Sequence, residues 1–225
     1  MEATQHKRSK GLIAVGIVLV LIIGGLAGYF LYYKKTPTYS FELIRESMEK
    51  HDWETFNAHV DTDSVLSSGF DALFEASMSN NEIDENTKKM ASGFAKMLKP
   101  TIILALKDDI KKFIETGSAG SDVQGDTTKN KKNKNASVEG LKKSTDLKDT
   151  KFKGIAYTKK ADKGIATVGI ILTDNDLGKD FTLDIKMRQL KDGTWQIIEL
   201  SNLKEYIKEV EQARNAKAAE LNQPM

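Results

Sequence analysis

The chain contains no cysteine among its 225 residues. Disulfides, a lipid-modified cysteine, thiolate metal sites and cysteine nucleophiles are therefore excluded together. Any folded part of the chain must be held by its apolar core alone. Histidine and tryptophan are nearly as scarce, with three and two residues, so few side chains suited to catalysis at neutral pH are present.

The three histidines do not form a metal-binding pattern. His6 lies near the N-terminus, and His51 and His59 are eight residues apart, whereas helical zinc sites place ligands three or four residues apart. A metal set of His51, His59 and Asp61 is therefore disfavoured. The stretch Asp174–Asp180 lacks the sixth-position glycine and the last glutamate of a calcium loop. We expect no metal and no cofactor.

Catalytic signatures and a dominant charge are missing as well. The sequence has no Gly-x-Ser-x-Gly elbow, phosphate loop or dinucleotide fingerprint. Its 34 basic and 32 acidic residues give a formal net charge of +2. Because a protein that binds nucleic acid presents a basic face, nucleic acid is not an expected partner.

What the chain does contain is one long apolar run, Gly11–Tyr33, with 23 uncharged residues. As a helix it would span about 35 Å, enough to cross a bilayer core of about 30 Å. Basic residues flank it on both sides: Lys7, Arg8, Lys10, Lys34 and Lys35. We predict a transmembrane helix at 11–33, preceded by a cytoplasmic tail at 1–10.

The C-terminal end of this run is rich in tyrosine, followed by two lysines. Amphipathic aromatic rings favour the headgroup level and lysines extend beyond it. The predicted membrane-interface residues are Tyr29, Tyr32, Tyr33, Lys34 and Lys35. Gly24 and Gly28 form a Gly-x-x-x-Gly spacing that lets two helices pack closely. Such spacing also arises by chance, so a weak homodimer through these glycines is a subsidiary hypothesis.

A cleaved signal peptide is the competing interpretation of the same run. Gly25-Leu26-Ala27 would be its cleavage site. The apolar run continues past Ala27 to Tyr33, which favours an uncleaved anchor. A short basic head before a long apolar run favours a cytoplasmic N-terminus. We therefore expect the C-terminal domain to lie outside the cytoplasm, at the cytoplasmic membrane.

Residues 36–116 have the apolar spacing of helices. His51-Asp52 divides a first stretch into two short helices, with Asp52 capping the second. Asp61 and its neighbours cap a third helix, on which Val65, Leu66, Phe70, Leu73, Phe74 and Met78 predict one buried face. Met90, Phe94, Met97 and Leu98 form a further apolar stripe. Pro100 is interpreted as the first residue of another helix, and Gly117 as its C-terminal cap.

Residues 117–150 change to a composition rich in Gly, Ser, Thr, Asn and Lys. Such a stretch buries too little apolar surface to offset the entropy of ordering. We predict a flexible insertion here. The lysines of this stretch are suited to contact an anionic lipid or polymer. A solvated, flexible segment explains a charge run of this kind more simply.

Residues 151–213 alternate with a period of two and then return to helical spacing. Four strands are predicted at Phe152–Thr158, Ile165–Thr173, Phe181–Leu190 and Trp195–Leu200. The turns between them are too short for anything but antiparallel hairpins. Asn202 is predicted to cap a final helix with Glu205 as its capping-box partner, and 214–225 to be a frayed tail.

The order of elements predicts an α+β fold. An N-terminal transmembrane helix is followed by several helices packed on a four-stranded antiparallel meander, with a C-terminal helix. Trp195 begins the last strand and is interpreted as a core residue that joins the sheet to the helices.

Two passages carry a family resemblance. They are Thr36–Asp61, which opens a helix after Pro-x-Tyr and closes on Val-Asp, and Asp192–Leu203, which contains Gly-Thr-Trp-Gln-Ile-Ile. Together they resemble a bacterial family of single-span anchored proteins known as a domain of unknown function. The resemblance implies an envelope-associated protein with a cone-like fold of the nuclear-transport-factor or cystatin type. It implies no catalytic residues.

These observations favour a membrane-tethered extracytoplasmic binding or scaffolding module, non-enzymatic, whose partners are the lipid bilayer and an envelope protein or polymer. Two alternatives stay open. One is an enzyme with a cone-shaped pocket and a buried carboxylate base, and the other is an envelope sensor that dimerises. A buried acid facing an open cavity would favour the enzyme, and a filled core would favour the module.

Overall fold

The computed structural model describes residues 28–78, 84–117 and 150–221, together with Leu21. The predicted insertion at 117–150 lies outside the described residues apart from its two ends, as does most of the predicted membrane span, Gly24 included. Within the described ranges, no helix is both long enough and apolar enough to cross a membrane. The anchor at 11–33 stays a prediction.

In the described ranges, four helices follow the helical residues 28–33 and precede the sheet: α1 (Pro37–Glu49), α2 (Trp53–His59), α3 (Thr62–Met78) and α4 (Glu85–Thr116). Each begins at a residue that satisfies its free backbone N–H groups. The predicted break between α1 and α2 is confirmed, since Asp52 Oδ1 accepts a hydrogen bond from Thr55 N at 3.0 Å. Gly117 ends α4 as predicted, with a left-handed φ of 70°.

Pro100 does not begin a helix, contrary to the prediction. It lies inside α4, which runs unbroken for 32 residues. A proline in a helix interior removes one backbone hydrogen bond, and tertiary contacts on both sides of it hold α4 in place. Lys99 forms an ion pair with Asp71 of α3 at 2.7 Å, and Leu106 and Ile114 are buried further along.

The sheet has four strands: β1 (Thr150–Ala161), β2 (Ile165–Asp174), β3 (Lys179–Gln189) and β4 (Trp195–Leu200). They pair in chain order, all antiparallel, so the predicted meander is confirmed. The registers Val168↔Ile185 and Ile170↔Leu183 place large apolar residues on one face. The helices pack on that face, because their buried side chains belong to the same cluster as those of the strands.

The shared core fills the space between sheet and helices. Its buried members are Ile44, Phe56, Val60, Ile114, Ala166, Val168, Ile170, Phe181, Leu183, Ile185, Met187, Trp195, Ile197, Leu203, Tyr206 and Val210. The α+β class is therefore confirmed. Helix α3 is less buried than predicted: Thr62 is its one fully buried residue, and its apolar side chains are half-buried. The reason is that α3 lies at the margin of the cluster, between β4 and α4.

The spacing predicts a buried stripe of Leu203, Tyr206, Ile207 and Val210 on the final helix, α5 (Leu203–Leu221). Leu203, Tyr206 and Val210 are buried, and Ile207 is half-buried. It continues to Leu221, through most of the segment expected to fray. Asn202 does not form the predicted capping box. Its side chain accepts a hydrogen bond from Asp184 N at 2.7 Å and donates one to Thr182 O at 3.1 Å. Asp184 N and Thr182 O belong to the part of β3 that extends past the last residue of β4. The Asn202 side chain takes the place of a strand there and forms the hydrogen bonds of these two backbone groups.

Candidate functional site

The chain passes from residues 28–33, which are helical, into α1 through a single short turn. The backbone N–H groups of Lys35 and Thr36 donate to the carbonyls of Tyr32 and Tyr33, both at 3.0 Å. Thr36 Oγ1 accepts from Tyr39 N at 3.2 Å and so caps α1. We call residues 33–36 the joint. It contains no flexible linker.

The joint is attached to the start of β4. Trp195 Nε1 donates a hydrogen bond to the carbonyl oxygen of Lys35 at 3.0 Å, and Trp195 N donates one to Ser40 Oγ at 2.8 Å. Trp195 is 2 % exposed, so its interpretation as a core residue is confirmed. Gly193 brings the β3–β4 turn against the joint, since a Cβ at its φ of 90° would lie 3.0 Å from the Lys35 side chain.

The predicted membrane-interface tyrosines separate into two environments. The Tyr33 ring stacks on Tyr29 at 6.5 Å and meets Tyr39 edge-on at 5.6 Å. Tyr33 OH donates to Glu42 Oε2 at 2.8 Å, which ties the helical residues 28–33 to α1. Tyr32 and Tyr29 are each 68 % exposed. The interface assignment of these residues stays a prediction.

Lys34 and Lys35 also differ. The Lys34 ammonium lies 5.1 Å from the centre of the Phe30 ring, an exposed cation–π contact. Lys35 contributes its backbone carbonyl to Trp195. At Gly28 the space where a Cβ would lie is open, with no atom of the described structure within 4 Å. A second helix could approach there, although the described residues do not show one.

An open groove of about 600 Å³ lies between α3, α4 and β4. Hydroxyl and carboxylate groups of α3 form one wall, and apolar side chains of α4 and β4 form the floor. The lining residues are Asp63, Ser64, Ser67, Ser68, Asp71, Ile103 and Ile198. Two lysines of α4 close the rim: Lys107 pairs with Asp63 at 2.5 Å and Lys99 with Asp71 at 2.7 Å.

A smaller hollow of about 200 Å³ continues from this groove. Ser68 lines both, and the hollow extends towards the start of α5. Three of the charged side chains that line it are paired: Lys204 with Glu75 at 3.6 Å, and Glu199 with the neighbouring Lys186 at 2.9 Å. The combined surface offers hydrogen-bond donors and acceptors in solvent, which suits recognition of a polar ligand.

The groove lacks the arrangement that activates a nucleophile. Ser68 Oγ donates to the helix backbone at Ser64 O, 2.9 Å away. The histidines are engaged elsewhere: His51 Nδ1 donates to Ile114 O at 2.8 Å and His59 Nδ1 to Thr55 O at 2.9 Å. In the part of the chain that the structure describes, no three His, Asp or Glu residues are grouped to hold a metal ion. The structure therefore does not bring His51, His59 and Asp61 together as ligands.

Among the described residues, the most buried carboxylate lies away from the groove and from the hollow. The Asp174 side chain is 2 % exposed, and its Oδ2 accepts from Arg214 Nη2 at 3.0 Å. Its Oδ1 accepts from Leu177 N at 2.9 Å and so shapes the β2–β3 turn. Asp174 lines neither described cavity. A carboxylate that is already paired and hydrogen-bonded serves the fold, not proton transfer.

Sequence reasoning missed two parts of this arrangement. The partner of Trp195 at Lys35 is remote in the chain, and no local pattern indicates it. The groove depends on how α3 crosses α4, although the run of hydroxyl side chains at Ser64, Ser67 and Ser68 does mark a polar side of α3. No family model, curated protein or solved structure matches this chain.

Proposed function

We propose that this protein is a non-enzymatic binding or scaffolding module that is tethered to the cytoplasmic membrane, with its α+β domain outside the cytoplasm. The observation that carries the proposal is the joint. The apolar run at 11–33 ends where the joint begins, and Trp195 binds the joint directly to the sheet. A tether of this kind holds the domain at a set distance and orientation from the bilayer.

The groove between α3, α4 and β4 supplies the binding surface. The Asp63 and Asp71 side chains are more than half exposed although each is paired with a lysine, so they present hydrogen-bonding groups to a ligand. The ligand that we propose for the groove is a polar segment of an envelope protein or polymer. The filled core and the Asp174–Arg214 pair favour this reading over an enzyme that uses a buried carboxylate base.

The tether is tested by membrane fractionation with N-terminal sequencing of the protein. We expect an intact N-terminus in the membrane fraction, extractable by detergent and not by salt. A soluble product that begins at Gly28 would establish the cleaved-signal alternative. Protease added to intact spheroplasts should digest the domain, and protection until lysis would overturn the proposed orientation.

The groove is tested with a photoreactive amino acid at Ser67 in intact cells. We expect a discrete adduct that Ser64→Trp, which narrows the groove from its exposed rim, removes. The matched control places the same probe at Asp162, an exposed residue in the turn between β1 and β2. Equal labelling from both positions, or none from Ser67, would contradict a binding role for this groove.

A further inference from the structure

The end of the sheet that contacts the joint is rich in lysine. Two lysines stand in the last three residues of β1, one in the β1–β2 turn and one in the β3–β4 turn, and the joint itself adds two more. All six are exposed, and we call them the basic end: Lys34, Lys35, Lys159, Lys160, Lys163 and Lys191.

The two turns are connected to the joint through a short series of contacts. A Cβ at Gly164, in the β1–β2 turn, would lie 3.4 Å from the Gln189 side chain. Gln189 Nε2 donates a hydrogen bond to Gly193 O in the β3–β4 turn at 3.2 Å, and Gly193 lies against the Lys35 side chain. The basic end is therefore one continuous surface around the joint.

Lys160 reaches the same place from the end of β1. Its ammonium lies 5.8 Å from the centre of the Trp195 ring, and that ring donates its N–H to the Lys35 carbonyl. The last residues of β1 are thus held beside the residue at which the helical segment 28–33 meets the folded domain.

The positive charge of the basic end is not neutralised by the fold. Within the described residues, none of its six lysines forms an ion pair with a carboxylate. The carboxylates of Glu42, Asp162 and Asp192 are nearby in the fold. Glu42 accepts from Tyr33 OH at 2.8 Å, and Asp192 accepts from Thr194 N at 2.9 Å.

The opposite end of the sheet, around the β2–β3 turn, is balanced in charge. Three lysines and three aspartates stand there on the strands and the turn: Lys151, Lys153, Lys179, Asp174, Asp176 and Asp180. Lys153 pairs with Asp180 at 2.5 Å. The excess of basic side chains in the sheet is therefore found where the sheet contacts the joint.

The tether would bring this surface to the lipid headgroups. Lys35 lies two residues beyond Tyr33, the last residue of the proposed span, and two residues extend at most about 7 Å. The headgroup layer on one side of a bilayer is about 5–7 Å thick, and charges act over about 8 Å at physiological ionic strength. The basic end is therefore within electrostatic reach of the lipid phosphates.

We propose that the basic end binds anionic lipid headgroups and so docks the domain on the bilayer by the joint end of its sheet. The inference rests on the proposed tether, and it extends the membrane interface from the predicted helix end to both turns of the folded domain. Lipid is favoured over an anionic polymer because the joint holds this surface at the headgroup layer, where lipid phosphates are the nearest anions.

The test uses the full chain in bilayer nanodiscs that contain a nitroxide-labelled headgroup lipid as fluorescence quencher. The chain has no cysteine, so one fluorophore is placed by Ala161→Cys at the joint end, and in a control chain by Asp176→Cys at the opposite end; both positions are exposed. Nanodiscs of phosphatidylcholine are compared with nanodiscs that contain about one-quarter phosphatidylglycerol.

We expect the quenched fraction at Ala161→Cys to rise with phosphatidylglycerol and to fall when salt is raised from about 0.1 M to about 1 M. The label at Asp176→Cys should respond to neither change. Equal responses at the two positions, or no response to phosphatidylglycerol at Ala161→Cys, would overturn the docking.

Charge removal supplies a second readout. Each lysine near an anionic surface contributes about fivefold to binding, so Lys163→Gln with Lys191→Gln should lower the ratio of docked to undocked domain at least about tenfold. The matched control, Lys151→Gln with Lys179→Gln, removes the same charge at the opposite end and should change the ratio less than about twofold. An equal effect of the two pairs would contradict the proposal.

Two further outcomes separate this inference from its premise and from its rival. A chain that stays soluble and does not enter nanodiscs would overturn the tether and the docking together, whereas a chain that enters them without any response to phosphatidylglycerol contradicts the docking alone. A response to soluble polyphosphate in neutral nanodiscs, with none to anionic lipid, would assign the basic end to a polymer and overturn the proposal.

Discussion

Trp195 Nε1 donates a hydrogen bond to the carbonyl oxygen of Lys35, 160 residues earlier in the chain, at 3.0 Å. The bond joins the last strand of the sheet to the turn that precedes α1. Trp195 N makes a second bond to Ser40 Oγ, so backbone and side chain of one residue fix both ends of the first turn of α1. A local change at Trp195 should therefore affect the fold and the joint together.

Trp195→Ala should lower the free energy of unfolding by about 3–5 kcal/mol, as large-to-small core changes do. Trp195→Phe keeps most of the ring volume and removes the N–H, so its cost should be smaller, about 1–3 kcal/mol for the unpaired Lys35 carbonyl and the lost contacts. Both are measured by urea denaturation of the full chain in detergent. A stable Trp195→Ala variant, with parental tryptophan emission that acrylamide quenches, would contradict the core assignment.

Asp174→Asn should be far more costly than an equivalent change on the surface. The Asp174 carboxylate is buried against Arg214, and removal of one partner leaves a charge without compensation, at about 3–5 kcal/mol. The control is Asp180→Asn, which removes the exposed pair with Lys153 and should change stability by at most about 1 kcal/mol. Similar melting temperatures for the two variants would show that Asp174 does not hold α5 to the sheet.

Tyr157 should contribute to the loss of stability at alkaline pH. Its hydroxyl donates a hydrogen bond to Asp184, and this bond, with burial and the nearby charge, raises the pKa of Tyr157 above its ordinary value of 10.0. The folded state therefore holds this proton more tightly than the unfolded state does. The resulting stability is present below pH 10 and is lost as pH rises through the raised pKa.

Tyr157→Phe should reduce this alkaline loss of stability, as measured by denaturation at a series of pH values. The part that persists is expected from Tyr33, whose hydroxyl donates to Glu42, and from Tyr206, whose pKa is also raised, by burial. Gly169→Ala is the companion variant, because a Cβ there would lie 2.5 Å from the Tyr157 ring and should displace the hydroxyl from Asp184. Its alkaline profile should resemble that of Tyr157→Phe. If the dependence of stability on pH is the same in both variants as in the parent, Tyr157 does not contribute to the alkaline loss of stability.

Shortening the predicted insertion by half, within residues 118–149, should leave the free energy of unfolding nearly unchanged. The entropy of closing a flexible loop changes by about 0.6 kcal/mol per doubling of its length. The variant is compared with the parent by cooperative thermal unfolding in detergent. Loss of a cooperative transition would mean that the segment packs on the domain.

The strands were the most predictable part of the fold. Alternation of Phe181, Leu183, Ile185 and Met187 with polar neighbours indicates a strand with one buried face, and the structure buries those four side chains. Short turns then leave antiparallel pairing as the one option. This part of the fold follows from local pattern, because period and turn length act over a few residues.

Three features escaped prediction, since each depends on partners remote in the chain. Pro100 is a helix breaker by local rules, yet α4 continues through it, and Leu106 and Ile114 are buried beyond it. Asn202 has the residue type and the position of a helix cap, yet its side chain forms hydrogen bonds with the backbone of β3 instead. The groove residues were not identified as a site, because they come from α3, α4 and β4, whose relative placement no periodicity encodes.

The joint has a geometric consequence for the proposed membrane tether. Residues 28–33 and α1 are connected by a turn of fixed length that Lys35 closes against Trp195. One residue added within a helix rotates everything that follows it by about 100° around the helix axis. An insertion before residue 33 would therefore turn the whole domain around the proposed tether by that angle. In the proposed tethered protein, the number of helical residues between the bilayer and the joint would therefore set the orientation of the groove around the helix axis, and a rotation of the anchor would turn the groove by the same angle.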